Sequence, residues 1–325
     1  MNVLVTGGLG FIGSHIVDAC VVRGDTVCSV DNLITGKREH GNPKAPNFEV
    51  DITNDAAFED VFRTVRPEIV FHCAAIARIQ PSFLEPARYF INNVIGTHHV
   101  IEFAKKYDVR RIVYSGSSTA YGSREELPLR EDMAVSAQAL SPYASSKRMG
   151  EMMMHDRGRS TGGPETVCLR YFNVYGPRQT TVEDGAYATV IGIFLSKLKA
   201  GEPLTIVPDG HHRRDFTWIG DAVQGNLLAA ESPNVGNGEI INLGTGKNYA
   251  MWDVARLMLG EVPDVLPEEL LASGKCVWAP PRRGEAKETL ADITRAREWL
   301  RWNPTTALKE GIEKTKTTSG SLFTA

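Results

Sequence analysis

The chain has 325 residues, of which 42% are hydrophobic and 23% charged, and its formal net charge is −3 at pH 7. That length suits one large domain or two smaller ones with a sizeable core, and the composition is ordinary for a globular protein in water. The small negative charge excludes a general affinity for nucleic acid or an anionic membrane surface, so any anion must be held by local arginines and backbone amides.

In chain order, short apolar runs alternate with helical patterns over the first half. Strands are predicted at Val3–Thr6, Thr26–Val30, Ile69–Cys73, Arg111–Ser115 and Val167–Tyr171, and helices at Phe11–Arg23, Ala56–Val65, Ala87–Tyr107 and Pro142–Arg157. This alternation predicts an α/β fold, a doubly wound parallel sheet wrapped by helices. Continuous runs such as Ile69-Val-Phe-His-Cys73 suit strands covered on both faces. After about Asn173 the pattern turns to loops and short elements rich in Gly and Pro, as in Tyr175-Gly-Pro-Arg178, Val207-Pro-Asp-Gly210 and Ala279-Pro-Pro281. A smaller lobe is expected there, with the chain crossing back to the sheet near Phe216–Glu231. The tail from Lys314 to Ala325, rich in Thr and Ser, is expected to fray.

Five scattered cysteines (Cys20, Cys28, Cys73, Cys168, Cys276) form no Cys-x-x-Cys pair. They read as small buried hydrophobes in a reducing compartment, and neither a disulfide framework nor a metal site is expected. The first strand begins at Asn2, leaving no room for a secretory signal, and no apolar run approaches a membrane span. A cytoplasmic protein is the expectation.

The segment Thr6-Gly-Gly-Leu-Gly-Phe-Ile-Gly13 falls between the first strand and the first helix. Gly7, Gly10 and Gly13 allow a sharp turn and let a pyrophosphate approach the backbone. The helix N-terminus then offers unpaired N–H groups and the positive end of its dipole. Asp31 lies eighteen residues after Gly13, at the end of the second strand. A carboxylate there accepts from both ribose hydroxyls and repels a 2′-phosphate, so NAD is expected rather than NADP. The following Lys37 and Arg38 either soften that preference or are solvated loop charges.

Tyr143 and Lys147 are spaced i,i+4 and share one helix face. A free phenol titrates near pH ~10 and is a poor base; a nearby ammonium and a positively charged nicotinamide favour the phenolate. Ser117, near the end of a central strand, is placed to hydrogen-bond the same substrate hydroxyl. The bland reading of the Tyr-x-x-x-Lys pair is a surface contact, and its position after a central strand of a dinucleotide fold favours proton transfer.

Ordered segments extend these motifs along nearly the whole chain: Val30-Asp-Asn-Leu-Ile-Thr-Gly36, Asp51-Ile52, His72-Cys-Ala-Ala75, Asn93-Val-Ile-Gly-Thr97, Ser115-Gly-Ser-Ser-Thr-Ala-Tyr-Gly122, Arg170-Tyr-Phe-Asn-Val-Tyr-Gly-Pro-Arg-Gln179, Arg214-Asp-Phe216 and Arg282-Arg-Gly-Glu285. With them the chain resembles the extended short-chain dehydrogenase/reductase family, in its nucleotide-sugar epimerase/dehydratase branch, and is most similar to 4-epimerases of UDP-glucose and UDP-N-acetylglucosamine. The resemblance implies a Rossmann-type domain over residues 1–172 and about 214–240, and a nucleotide-sugar lobe over 173–213 and 241–325. It implies a cofactor set of Gly7, Gly10, Phe11, Ile12, Gly13, Asp31, Asn32, Gly36, Asp51, Ile52, Ala74, Ala75, Asn93, Ser115, Tyr143, Lys147 and Tyr171. Asp51 and Ile52 are expected at the adenine, Ala74 and Ala75 along the groove, and Lys147 on the nicotinamide ribose. Tyr143 is the implied base, assisted by Ser117. Asn173, Arg214 and Arg282 are implied at the diphosphate and Glu285 at the uridine ribose, with Ser118, Val190 and Thr289 completing the substrate set. Guanidinium forks suit a diphosphate, which agrees with these roles. A homodimer is implied through the helices at Ala87–Tyr107 and Pro142–Arg157.

Dehydratases of this branch generally place an Asp-Glu pair directly before the Tyr-Gly that closes the Ser-rich segment. Here Thr119-Ala120 precede Tyr121, which disfavours both dehydration and decarboxylation and leaves 4-epimerisation through a 4-keto sugar. A dehydratase or a glucuronate epimerase of the same branch is the enzymatic alternative; a non-catalytic NAD-binding regulator is the alternative of another class. Relatives acting on UDP-glucuronate tend to carry Thr where this chain has Asn173. Thr289, seven residues beyond Arg282, resembles the position where a bulky side chain restricts the C2 side of the sugar, so its small size favours N-acetylated as well as plain hexoses. Gly116, in place of a frequent Ser, and Trp218-Ile-Gly220 depart from the epimerase pattern and are read as packing variation.

Overall fold

The computed structural model describes residues 1–133, 139–261 and 264–318. Six strands come first: β1 (Asn2–Thr6), β2 (Thr26–Val30), β3 (Asn47–Phe48), β4 (Ile69–His72), β5 (Arg111–Ser117) and β6 (Glu165–Tyr171). Two short ones, β7 (Leu204–Ile206) and β8 (Arg213–Asp215), lie apart before β9 (Asn237–Leu243) rejoins the sheet. The seven-stranded sheet runs β3-β2-β1-β4-β5-β6-β9 with every pairing parallel. This is a Rossmann-type doubly wound sheet, and the direction of winding reverses between β1 and β4. Ligands of such sheets bind at the carboxyl ends of the strands beside that switch point.

Strand alternation sorts the core onto two faces. Val3, Val5, Phe71, Val113 and Leu169 join one apolar cluster, while Leu4, Val70, Ile112, Tyr114 and Cys168 join the other. Both faces are covered, so the strands read as unbroken apolar runs. The five predicted strands are present: three are longer by one or two residues, Thr26–Val30 is as predicted, and the one predicted at Ile69–Cys73 ends one residue earlier, at His72. β3 and β9 escaped prediction because one is two residues long and the other, Asn-Gly-Glu-Ile-Ile-Asn-Leu, mixes polar and apolar residues without alternation. The chain returns near Phe216–Glu231 as a helix, Ile219–Glu231, packed against Phe11–Arg23, and then as β9. The sheet therefore reaches Leu243, past the expected boundary at about 240.

Local chemistry sets the ends of the key helices. Phe11–Arg23 stops at Gly24, whose φ of +90° lets its N–H bond the carbonyls of Cys20 and Val21. Pro142–Gly158 starts where the Ser141 hydroxyl accepts from the Ala144 N–H at 3.1 Å and proline occupies the first turn. That cap puts Tyr143 in the first turn, at the mouth of the sheet, with Lys147 one turn deeper. The helix expected at Ala87–Tyr107 runs from Pro86 to Lys106 and is wound as a π-helix over Ile91–Ile95. Within it Asn93 is buried, its amide bonding both the N–H and the carbonyl of Ile76.

Apart from the main sheet, β7 pairs with β11 (Cys276–Trp278) and β8 with β10 (Asn248–Ala250). The expectation of a frayed tail is wrong over Lys314–Thr317. There the helix Leu308–Thr317 continues because Ile312 and Thr315 pack inward on a spacing that the polar composition masks. Residues 319–325 lie outside the described residues. Among the described residues, no helix is long and apolar enough to cross a membrane.

Candidate active site

One cavity of about 780 Å³ runs along the carboxyl ends of β1, β4, β5 and β6 and on past β7 and β8 to the 282–289 segment. Its floor at the switch point is backbone. A Cβ on Gly7 would lie 2.7 Å from the Ala74 nitrogen, and one on Gly13 would lie 2.1 Å from the Gly7 carbonyl oxygen. The loop therefore packs against its neighbours only as glycine and leaves the start of the first helix bare. Phe11 and Ile12 complete this wall, with Ala74 and Ala75 opposite. Such a bare helix N-terminus fits the pyrophosphate of a dinucleotide.

Asp31 stands at the end of this cradle. Its carboxylate accepts from the Leu9 N–H at 3.0 Å and the Leu33 N–H at 2.8 Å, and burial pushes its pKa up. Gly36 is forced by the same group, since a Cβ there would sit 2.5 Å from a carboxylate oxygen of Asp31. Lys37 and Arg38 are ion-paired, with Asp184 at 2.6 Å and with Glu49 respectively, so both are engaged away from Asp31. Asn32 and Ile52 line the cavity, whereas Asp51 stands behind them. Burial opposes ionisation of Asp51, but Thr53 and Asn32 donate three hydrogen bonds and hold its carboxyl below the usual range. Asn93 also stands behind the wall, pinning the chain at Ile76 and donating to the Ser146 hydroxyl at 2.9 Å.

Tyr143, Ser117 and Lys147 all face the cavity. The Ser117 hydroxyl accepts from the Thr119 N–H at 3.2 Å and from the Thr119 hydroxyl at 2.9 Å, and both Ser117 and Tyr143 line the cavity. With both of those donors coming from Thr119, the serine proton remains available to another acceptor. Burial raises the Tyr143 pKa, opposed by the Ser117 hydrogen bond and the Arg78 charge. Lys147 is almost fully buried, and burial lowers its pKa to about 8. Its ammonium sits 4.4 Å above the Tyr114 ring. Below these groups, Ser115 donates to the Cys73 sulfur at 3.3 Å and lies 3.2 Å from the Tyr171 hydroxyl, which donates to Asn226 at 2.9 Å.

Toward the second lobe, Ser118, Asn173, Val190, Arg214, Arg282, Glu285 and Thr289 all line the cavity. Asn173 adopts a φ of +32° and donates to the Asp215 carbonyl at 2.9 Å. Asp215, buried, accepts from the N–H groups of Thr245, Gly246 and Ala291, so it locks the strand next to Arg214. Arg214 spans to Glu285 at 3.5 Å, and Arg282 lies 3.8 Å from another oxygen of the same carboxylate. Thr289 is small, buried and held by the Arg213 carbonyl at 3.1 Å. Gly116 has a direct packing reason: a Cβ there would lie 2.9 Å from the Leu169 carbonyl oxygen. Trp218 is buried edge-on to Tyr175.

Two cavity residues were missed in the sequence. Thr119, within the Ser115–Gly122 segment but given no role there, orients Ser117, and Arg78, outside the motifs, lines the cavity and bonds Tyr187 and Thr180; only their neighbours in space mark them. Thr119 and Ala120 also leave this end without an acid: among the described residues the carboxylates lining the cavity are Asp31 and Glu285.

Comparison with known proteins agrees with this geometry. A family described as the NAD dependent epimerase/dehydratase family matches residues 3–244. A UDP-glucose 4-epimerase of Mycolicibacterium smegmatis is 35% identical over 323 residues, covering 97% of each chain. The crystal structure of a Thermotoga maritima UDP-glucose 4-epimerase with UDP-glucose superposes with a TM-score of 0.87 at 36% identity, covering 98% of both chains. That of a Thermus thermophilus UDP-glucose 4-epimerase in complex with NAD gives 0.84 at 34%, again over 98% of both. The chain belongs to the NAD dependent epimerase/dehydratase family, and within it to the UDP-sugar 4-epimerases, isomerases that use NAD.

Proposed function

We propose that the protein interconverts the C4 epimers of a UDP-hexose, glucose/galactose or N-acetylglucosamine/N-acetylgalactosamine, with Tyr143 as the base. The observation that carries this reading is the sugar end of the cavity: Tyr143 and Ser117 share its wall, and among the described residues no carboxylate lines it beside them to drive elimination. When bound, NAD supplies a reversible acceptor for the C4 hydride. Tyr143 takes the C4 hydroxyl proton, shares it with Ser117, and returns it after the 4-keto sugar has turned to present its other face. Lys147, kept partly uncharged by burial, is read as the ribose-binding group. Arg214 and Arg282, with Asn173, are read as holding the diphosphate while the sugar turns, and Glu285 the uridine ribose. Tethering the nucleotide lets the small ring rotate without leaving.

Thr289 supports room for an N-acetyl group at C2, because its side chain ends one atom beyond Cβ and faces the cavity. A homodimer is supported by the exposed Ile91, Ile95, Met149 and Met152 on the two adjacent helices, an apolar face suited to a second copy.

Purified protein incubated separately with UDP-glucose, UDP-N-acetylglucosamine and UDP-glucuronate, without added cofactor, should form a C4 epimer by NMR from at least one neutral hexose. Accumulation of a 4-keto-6-deoxy sugar would overturn the reading. Tyr143→Phe should lower kcat by roughly 10²–10⁴-fold while leaving NAD bound.

A further inference from the structure

The helix at 142–158 meets the sheet through a row of polar contacts on successive turns. The Tyr114 hydroxyl of β5 donates to the Lys147 carbonyl at 3.2 Å, and the Thr166 hydroxyl of β6 donates to the Met154 carbonyl at 2.6 Å. Between them lies Glu151, one turn beyond Lys147 and two beyond Tyr143 on the same helix face. Arg170 of β6 takes both oxygens of Glu151, Nε at 2.8 Å and Nη2 at 2.6 Å. The two side chains are 0% exposed for Arg170 and 5% for Glu151, and neither residue is among those lining the cavity.

Stability gives a poor account of this pair. Two charges taken from water lose hydration that their attraction repays only in ideal geometry, and apolar side chains of similar volume often serve as well or better. Here the guanidinium is not fully satisfied. Its Nη1 is buried without a hydrogen-bond partner among the described residues, and its carbon lies 4.5 Å from the centre of the Tyr121 ring. What a forked pair supplies, and an apolar contact does not, is direction: two parallel bonds fix the carboxylate, and with it the roll and depth of the helix against the strand.

The rung of the sheet held in this way adjoins the site of proton transfer. Arg170 stands opposite Gly116 of β5, and the next rung joins Tyr171 to Ser117. Ser117 therefore sits one rung from the anchor on the sheet, while Tyr143 sits two turns, about 12 Å, from it along the helix. Gly150 lets the helix come this close, since a Cβ there would lie 2.3 Å from the Tyr114 hydroxyl oxygen.

We propose that Arg170 is a positioning residue for epimerisation, its fork on Glu151 setting the helix at the roll and depth that bring the Tyr143 phenol and the Ser117 hydroxyl to one substrate hydroxyl. This rests on the reading of Tyr143 as the base. Arg170 moves no proton and touches no ligand; it acts through Glu151 and the helix backbone. A displacement of about 1 Å at reacting groups lowers a rate by as much as ~100-fold. The glycine cradle and the arginines at the nucleotide-sugar end belong to other elements and keep their geometry.

The test compares holoenzyme of wild type, Glu151→Leu/Arg170→Met, Arg170→Lys and Tyr143→Phe. It reads kcat per bound NAD, KM for the UDP-hexose that the wild type turns over, and the midpoint of urea unfolding. The apolar double variant should unfold at or above the wild-type midpoint, yet lose roughly 10–100-fold in kcat with KM and NAD content unchanged. Arg170→Lys keeps the charge and loses the fork, so it should show the same split at roughly a few-fold. It carries the test if the double variant does not fold or is destabilised. Wild-type kcat in either variant overturns the proposal and leaves the pair as packing. A loss that falls on KM or NAD content, with kcat per bound NAD unchanged, also overturns it and assigns the pair to the binding walls. Full turnover by Tyr143→Phe would instead overturn the reading of the base, whatever the pair does.

Discussion

Around the glycine loop the cavity wall is backbone; around the nucleotide-sugar end it is long side chains reaching in from distant segments. Gly7, Gly10 and Gly13 lie within seven residues of one another, and a Cβ added at any of them would come within 2.1–3.2 Å of neighbouring main chain. Arg78, Asn173, Arg214, Arg282 and Thr289 come from five separate stretches and are held by loop carbonyls, a buried aspartate and one shared carboxylate. A backbone cradle tolerates no added atom but takes any dinucleotide pyrophosphate. A wall of side chains tolerates substitution and can be retuned for another sugar.

Gly13→Val is the sharpest way to break this contrast. Its added atoms meet the fixed Gly7 carbonyl, and overpacking of about 3 kcal/mol corresponds to at least a ~100-fold loss of NAD retention, read by releasing and quantifying bound nucleotide. If NAD binding survives, the cradle is softer than its contacts indicate.

Lys147 stands where the two regions meet, and its effect depends on pH. Burial lowers its pKa from 10.5 to about 8, so between those values the folded state binds fewer protons than the unfolded one. Its contribution to stability therefore grows as pH rises from about 8 to 10.5 and is lost as pH falls through the folded value. Lys147→Met should remove about 3 kcal/mol of that pH dependence, seen in urea unfolding at pH 7 and pH 10. Identical slopes for both proteins would mean that the ammonium keeps water.

At the side-chain end, Arg282→Ala should cost about 2 kcal/mol of diphosphate binding, raising KM roughly 10–100-fold with NAD content unchanged. A fall in kcat alone would place Arg282 away from the nucleotide. The smallest effect is expected at Asp31→Asn, which keeps the shape of the side chain but whose one amide oxygen can accept from Leu9 or Leu33 and not from both, since they bond different carboxylate oxygens. A few-fold weaker binding of NAD, with relief of the discrimination against NADP, would appear in a competition titration. An unchanged NAD/NADP ratio would remove Asp31 from the ribose.

Much of the sheet was legible because parallel strands buried on both faces must be apolar throughout, and the helices between them carry caps such as Ser141-Pro142. β3 and β9 were not, since a two-residue strand and a polar-flanked strand are stabilised by neighbours rather than by their own pattern. The helix continuing to Thr317 was hidden in the same way by a polar composition.

For the site, residue order by itself determined the cradle, the acid after the second strand, and the one-turn spacing of Tyr143 and Lys147. These are constraints between near neighbours, set by backbone sterics and helical periodicity. Tertiary structure alone decided which charge faces which group. Lys147 turns onto Tyr114, and Arg78, sixty-five residues before Tyr143, joins the wall of the same cavity, its guanidinium on Tyr187 and Thr180. Electrostatic pairing depends on distance and burial in the folded chain, and neither is written in the spacing of residues along it.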